Sequence, residues 1–112
     1  MKVKTSNCNA RGYVQRLVEF KANNLWSEWV EFDHPEARYV VYSYDRHWPL
    51  FIYESRTNTW FENTSKYSMT TSKHKSQANP WKDNAIGLHV DDMIKVASDG
   101  HIGLIAPLGA TA

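Results

Sequence analysis

The stretch from Arg38 to Glu62 leaves the chain little choice of fold. Tyr39-Val40-Val41-Tyr42-Ser43-Tyr44 is β-branched or aromatic almost throughout, and Asp45-Arg46-His47-Trp48-Pro49 interrupts it. Leu50-Phe51-Ile52-Tyr53 then resumes the pattern, and Ser55-Arg56-Thr57-Asn58 separates a last run, Thr59-Trp60-Phe61. Such side chains are stiff in a helix and fit a pleated, half-buried surface, whereas the polar interruptions have the chemistry of turns. The pattern predicts strands at 39–44, 50–54 and 59–62, paired in order as an antiparallel meander. Pro49 has no N–H to give to a ladder, so it is expected to open its strand.

The flanks read differently. Val14, Leu17 and Val18 follow Asn9 at helical spacing, predicting a short helix over residues 10–19. Leu25 to Phe32 alternates in part, with Trp26, Glu28, Val30 and Phe32 on one side and Trp29 on the other, as in a strand. Between Ser68 and Asn79 only Ala78 is a small apolar residue amid hydroxyls and cations. Ser68, Thr70 and Thr71 offer N-caps and Pro80 a stop, so the segment reads as a short helix with almost no apolar face or as an ordered polar loop. Val90, Met93, Ile94 and Ala97 give i, i+3, i+4, i+7 spacing behind Asp91 and Asp92, predicting a helix over 91–99 packed on the sheet. Residues 102–106 could add a final strand. The class is α+β: an antiparallel meander with two or three short helices.

A chain of 112 residues has room for one core, so 1–112 is read as a single domain, with 1–8 and 107–112 expected to be flexible. Aromatic residues make up 13% of it, including five Trp and six Tyr, which is enough to stabilise a modest core and leave surface for a partner. The single Cys8 forms no internal disulfide and, in a loose N-terminal segment, is assigned no reactivity; a reducing, cytoplasmic compartment is expected. No apolar run approaches a membrane span, and no membrane partner is expected. A net charge of +1 excludes both an acidic nucleic-acid mimic and a histone-like binder.

Charge is unevenly placed. Glu28, Glu31, Asp33 and Glu36 crowd one segment, read as a charged edge strand or a face for a basic partner, whereas residues 63–82 carry Lys66, Lys73, His74, Lys75 and Lys82 without an acid. Within this strip Thr70, Thr71, Ser72, Ser76 and Gln77 add donors, and Tyr67 and Trp81 add rings. Hydroxyls, cations and a helix N-terminus suit contact with phosphate or an acidic partner; a solvated, self-capped helix is the plainer reading. The candidate binding residues are therefore Lys66, Tyr67, Thr70, Thr71, Ser72, Lys73, His74, Lys75, Gln77 and Trp81. With Trp48 and Trp60 in the adjoining sheet, the strip could also stack exposed bases. Catalysis is the weaker alternative. His74 with Ser72, Ser76 or Tyr67 would form a base and nucleophile, and His89, Asp91, Asp92 and His101 a metal site, but no spaced motif supports either. No catalytic residue, metal or cofactor is assigned.

The segments YVVYSY at 39–44, HWPLFIYE at 47–54, TWFEN at 59–63 and KYSMTTSKHKSQANP at 66–80 together resemble a family of small proteins from bacteriophage genomes and related mobile DNA. Asp45 stands where that family has a glycine after the SY strand; at a positive-φ position, aspartate would be among the better substitutes. The resemblance implies a phage or mobile-element origin and carries no activity. The expected function is non-enzymatic binding of a host or phage protein or nucleoprotein through the 66–82 strip, such as inhibition of host defence or host machinery. Nucleic-acid binding and a small His-assisted or metal-dependent hydrolase are the alternatives.

Overall fold

The computed structural model describes residues 2–31, 37–65, 69–82 and 84–98. Among them, seven strands form one mixed sheet in chain order: β1 (Val3–Lys4), β2 (Phe20–Lys21), β3 (Leu25–Glu31), β4 (Ala37–Ser43), β5 (Pro49–Glu54), β6 (Thr59–Asn63) and β7 (Ile86–Leu88). Three helices accompany them: α1 (Ala10–Gln15), α2 (Met69–Ala78) and α3 (Val90–Ser98). The class is α+β. None of the helices is long and apolar enough to cross a membrane.

The centre follows the sequence pattern. β3, β4, β5 and β6 pair antiparallel in succession, and Pro49 opens β5 beside a register shift between Val41 and Tyr42. A proline is tolerated there because the irregular ladder makes no use of its missing N–H. The two flanking pairs are parallel instead: β1 with β2, and β6 with β7. Parallel neighbours need a crossover, and α1 and α2 supply it. The segment expected to be a loose N-terminus contributes β1, where Val3 N–H donates to Glu19 O at 3.1 Å and Thr5 N–H to Lys21 O at 3.0 Å.

Alternation sorts the side chains into two cores. Tyr39, Val41, Phe51 and Trp60 face α1 and α2, meeting Ala10, Val14 and Ala78. Val40, Tyr42, Ile52 and Phe61 face α3, meeting Met93, Val96 and Ala97. The alternation expected for β3 also holds: Trp26 and Val30 pack on the α3 side and Trp29 on the other. Residues 32–36 and 99–112, which include Phe32 and the expected strand at 102–106, lie outside the described residues.

Three expectations need correction. The first helix stops at Gln15, not 19. Leu17 is left-handed (φ 58°), Leu17 N–H donates to Val14 O and Val18 N–H to Tyr13 O, which is a Schellman closure built without glycine. β3 is an edge strand only in part. β2 pairs with it at Lys21 and Trp26, and farther along the Glu19 carboxylate accepts the Trp29 N–H at 2.7 Å. The left-handed residue in the turn after β4 is Tyr44 (φ 67°), one position before Asp45. Asp45 Oδ1 instead accepts the Arg46 N–H, an ordinary polar-turn role.

Candidate binding surface

α2 spans ten residues with little apolar surface. Ala78 and His74, one turn apart, point inward; Met69, Ser72, Lys73 and Ser76 point to solvent. His74 is 4% exposed, its Nδ1 hydrogen-bonded to the buried Ser43 Oγ at 2.7 Å, and its ring tilts against Tyr44 at 5.5 Å. Burial, with the positive charge of Lys73 adding to it, holds the imidazole below its ordinary pKa of 6.5. His74 therefore acts as the neutral group that docks the helix, and the expectation that it supplies surface charge is corrected.

The other predicted residues separate in the same way. Lys75 pairs with Glu62 of the sheet, Nζ to Oε1 at 3.3 Å. Lys73 and Lys82 are exposed, as are Thr70 and Ser72. Thr70 and Thr71, expected as N-caps, lie within the helix because it begins at Met69. Gln77 is half-buried, and its Oε1 accepts no hydrogen bond among the described residues. Lys66, Tyr67 and the Thr71 side chain lie outside what is described.

Trp81 is an outward-facing aromatic residue of the strip. Its side chain is 67% exposed on a left-handed backbone (φ 55°), fixed by its N–H donating to Asn79 Oδ1 at 2.8 Å. Beneath the indole, 3.7 Å from its centre, lies the guanidinium of Arg11. Arg11 comes from α1, and its Nε donates to Asn79 O at 2.8 Å and its Nη2 to Ser76 O at 2.7 Å. Gln15, one turn on, donates to Pro80 O at 3.2 Å. The C-terminal end of α2 carries orphan carbonyls and partial negative charge, so a guanidinium fork satisfies both while its face holds the indole. Sequence reasoning missed Arg11, because it lies 65 and 68 positions from its two carbonyl partners.

The aromatic neighbours expected to help stack bases are committed elsewhere. Trp60 is buried, and Trp48 packs half-buried against the same core. The catalytic pairings are altered too: His74 meets Ser43 instead of Ser72 or Ser76, and Ser43 is fully buried, so no substrate reaches that hydroxyl. His89 caps α3, its Nδ1 accepting the Asp91 N–H at 3.2 Å while Ser65 Oγ accepts the Val90 N–H at 3.0 Å. Among the described residues no three His, Cys, Asp or Glu side chains are arranged to hold a metal ion, and His101 lies outside them. Of the acidic segment, Glu28 meets a cation within the fold, receiving both Nε and Nη2 of Arg46 at 3.2 and 3.0 Å; Asp33, Glu36 and the Glu31 side chain lie outside what is described. No family model, curated protein or solved structure matches the chain, so the reading of this surface rests on its own geometry.

Proposed function

We propose that the chain is a stoichiometric, non-enzymatic binding protein whose contact surface is the Arg11–Trp81 platform, flanked by Lys73 and Lys82, and whose partner presents an acidic protein surface. The observation that supports this reading most is the presentation of Trp81. An indole two-thirds exposed, on a left-handed backbone and stacked on an arginine that is itself pinned by two carbonyls, is pre-organised before any partner arrives. Tryptophan and arginine dominate the energetics of interfaces, and a rigid anchor loses little entropy on binding. The lysines would steer an acidic partner and set the rate of encounter. The sealed Ser43–His74 pair favours binding over hydrolysis. The resemblance to phage proteins favours a host or phage macromolecule as the target, with inhibition of host defence or host machinery as the physiological setting.

The test is capture from nuclease-treated bacterial lysate, comparing the native chain with Trp81→Ala and Lys73→Ala/Lys82→Ala, followed by kinetics on the recovered partner. Trp81→Ala is expected to speed dissociation at least about tenfold, and the lysine pair to slow association in a salt-dependent way. Equal recovery by a folded triple variant, or loss of the partner on nuclease treatment, overturns the proposal.

A further inference from the structure

A second basic and aromatic site lies on the other face of the sheet. The partners Lys4↔Lys21, Lys21↔Trp26 and Trp26↔Tyr42 place these side chains in one row across β1 to β4, on the face that α3 covers farther along, over β5, β6 and β7. Directly opposed residues share a face, so Lys4 and Lys21 form a like-charge pair, which is unfavourable unless something answers it. Lys2 reaches the same place: its Nζ stands 4.3 Å over the Trp26 ring, and the Arg46 guanidinium stands 5.0 Å from it. Tyr42 stacks on Trp26 at 4.5 Å. Burial, with Glu28 adding, pushes the Tyr42 phenol up to about 12, so it brings no negative charge.

Of these groups Lys2, Lys21, Trp26 and Arg46 border a cleft of about 370 Å³, which Asn24 and Tyr44 also wall. The volume falls within the range of small-ligand sites. Glu28 answers Arg46 and holds its fork in place, and among the described residues no carboxylate forms an ion pair with Lys2 or Lys21. Two of the wall residues are left-handed, Asn24 at φ 56° and Tyr44 at φ 67°, and they are tied by the Tyr44 N–H donating to Asn24 O at 2.8 Å. A left-handed tyrosine is strained, and such strain gathers where a side chain must be aimed. Here it holds the Tyr44 ring 49% exposed at the cleft mouth, braced from behind by His74.

We propose that this cleft binds a nucleotide unit, with its phosphate at Lys2, Lys21 and Arg46 and its base stacked on Tyr44. Cations alone would suit any anion; cations beside a fixed, half-exposed ring select one that carries a planar group. The unit can be a free nucleotide or one residue of a single strand, since the chemistry is the same. This site goes beyond the Trp81 surface and does not depend on it.

Adenosine 5′-monophosphate, a single-stranded oligonucleotide of about eight residues, inorganic phosphate and heparin are titrated into the full chain, read by calorimetry and tryptophan fluorescence. At least one nucleotide ligand is expected to bind about tenfold or more tighter than inorganic phosphate. Comparable binding of the monophosphate identifies a free-nucleotide site, and binding of the oligonucleotide alone identifies a single-strand site. Lys2→Ala/Lys21→Ala should weaken binding and, for the oligonucleotide, reduce the slope of log affinity against log salt by roughly 1.4. Tyr44→Ala should weaken it about tenfold, with Tyr44→Phe within about twofold of native. Trp81→Ala should leave it unchanged. Absence of nucleotide binding at millimolar ligand overturns the proposal. So does equal binding of inorganic phosphate or heparin that ignores both the Tyr44 and the lysine changes.

Discussion

Replacing Arg11 by methionine tests the joint between α1 and α2 most directly. The substitution keeps an unbranched apolar stem of similar reach and removes the guanidinium. Lost are the donors to Asn79 O at 2.8 Å and Ser76 O at 2.7 Å, the charge at the negative end of α2, and the stack 3.7 Å under Trp81. Hydrogen bonds from a charged donor contribute about 1.5–3 kcal/mol each when well sheltered. The Ser76 contact is exposed and only the Asn79 contact is part-buried, so the lower end of that range is discounted further. The carbonyls left behind can take water, which limits the loss again. The expected destabilisation is about 2 kcal/mol, with the charge–dipole and stacking contributions included. For a chain of 112 residues this corresponds to a fall in Tm of about 8 °C. Urea denaturation should show a lower midpoint at unchanged m-value, and Trp81 emission should shift to the red in the folded state. Arg11→Lys should recover less than half of the loss, because an ammonium cannot span two carbonyls and stack as well. A loss below about 0.5 kcal/mol for the methionine variant, the ordinary scatter of surface substitutions, would refute the assignment of Arg11 as the clamp.

The pH dependence of stability should carry the mark of His74: held neutral by burial below its ordinary value of 6.5, it takes up a proton more readily in the unfolded chain. Its contribution is therefore complete above pH 6.5 and is lost as pH falls through that value toward the folded pKa, with a limiting slope of about 1.4 kcal/mol per pH unit. The difference in unfolding free energy between the native chain and His74→Gln, followed from pH 7.5 to pH 5 in roughly half-unit steps, should narrow on acidification, and a constant difference would contradict the burial. Gly87→Ala should cost about 1–3 kcal/mol by thermal melting, since a Cβ there would stand 2.7 Å from Thr64 Cγ2 in the parallel β6–β7 pair; a neutral result would show that Thr64 yields freely. Asn58, left-handed at φ 54°, separates backbone from side-chain effects: Asn58→Ala should be about 1 kcal/mol less stable than Asn58→Gly, and equal stabilities would argue against strain at this turn.

The parts of the protein legible in its sequence are those whose evidence is local. The β4–β5–β6 meander is written in consecutive β-branched and aromatic residues with polar turns between them. α3 is written in a periodic apolar stripe behind two aspartates. Pro49 could open its strand because a missing N–H is a property of that residue alone. What the tertiary structure decided lies where local signals are short or silent. β1, β2 and β7 are two or three residues long, too short for alternation to be read; the crossover through α1 sets β1 beside β2, a short turn sets β2 beside β3, and the crossover through α2 sets β7 beside β6. α1 ends at a leucine in the left-handed region, a stop that glycine would have announced and leucine does not. α2 has too few apolar residues for periodicity to mark its inner face, and a hydrogen bond to Ser43, 31 positions away, turned His74 inward. The Arg11–Trp81 platform and the Trp26 cleft likewise join side chains from distant strands and helices. Each depends on chain closures whose entropy only the assembled core repays, and no window of neighbouring residues contains that information.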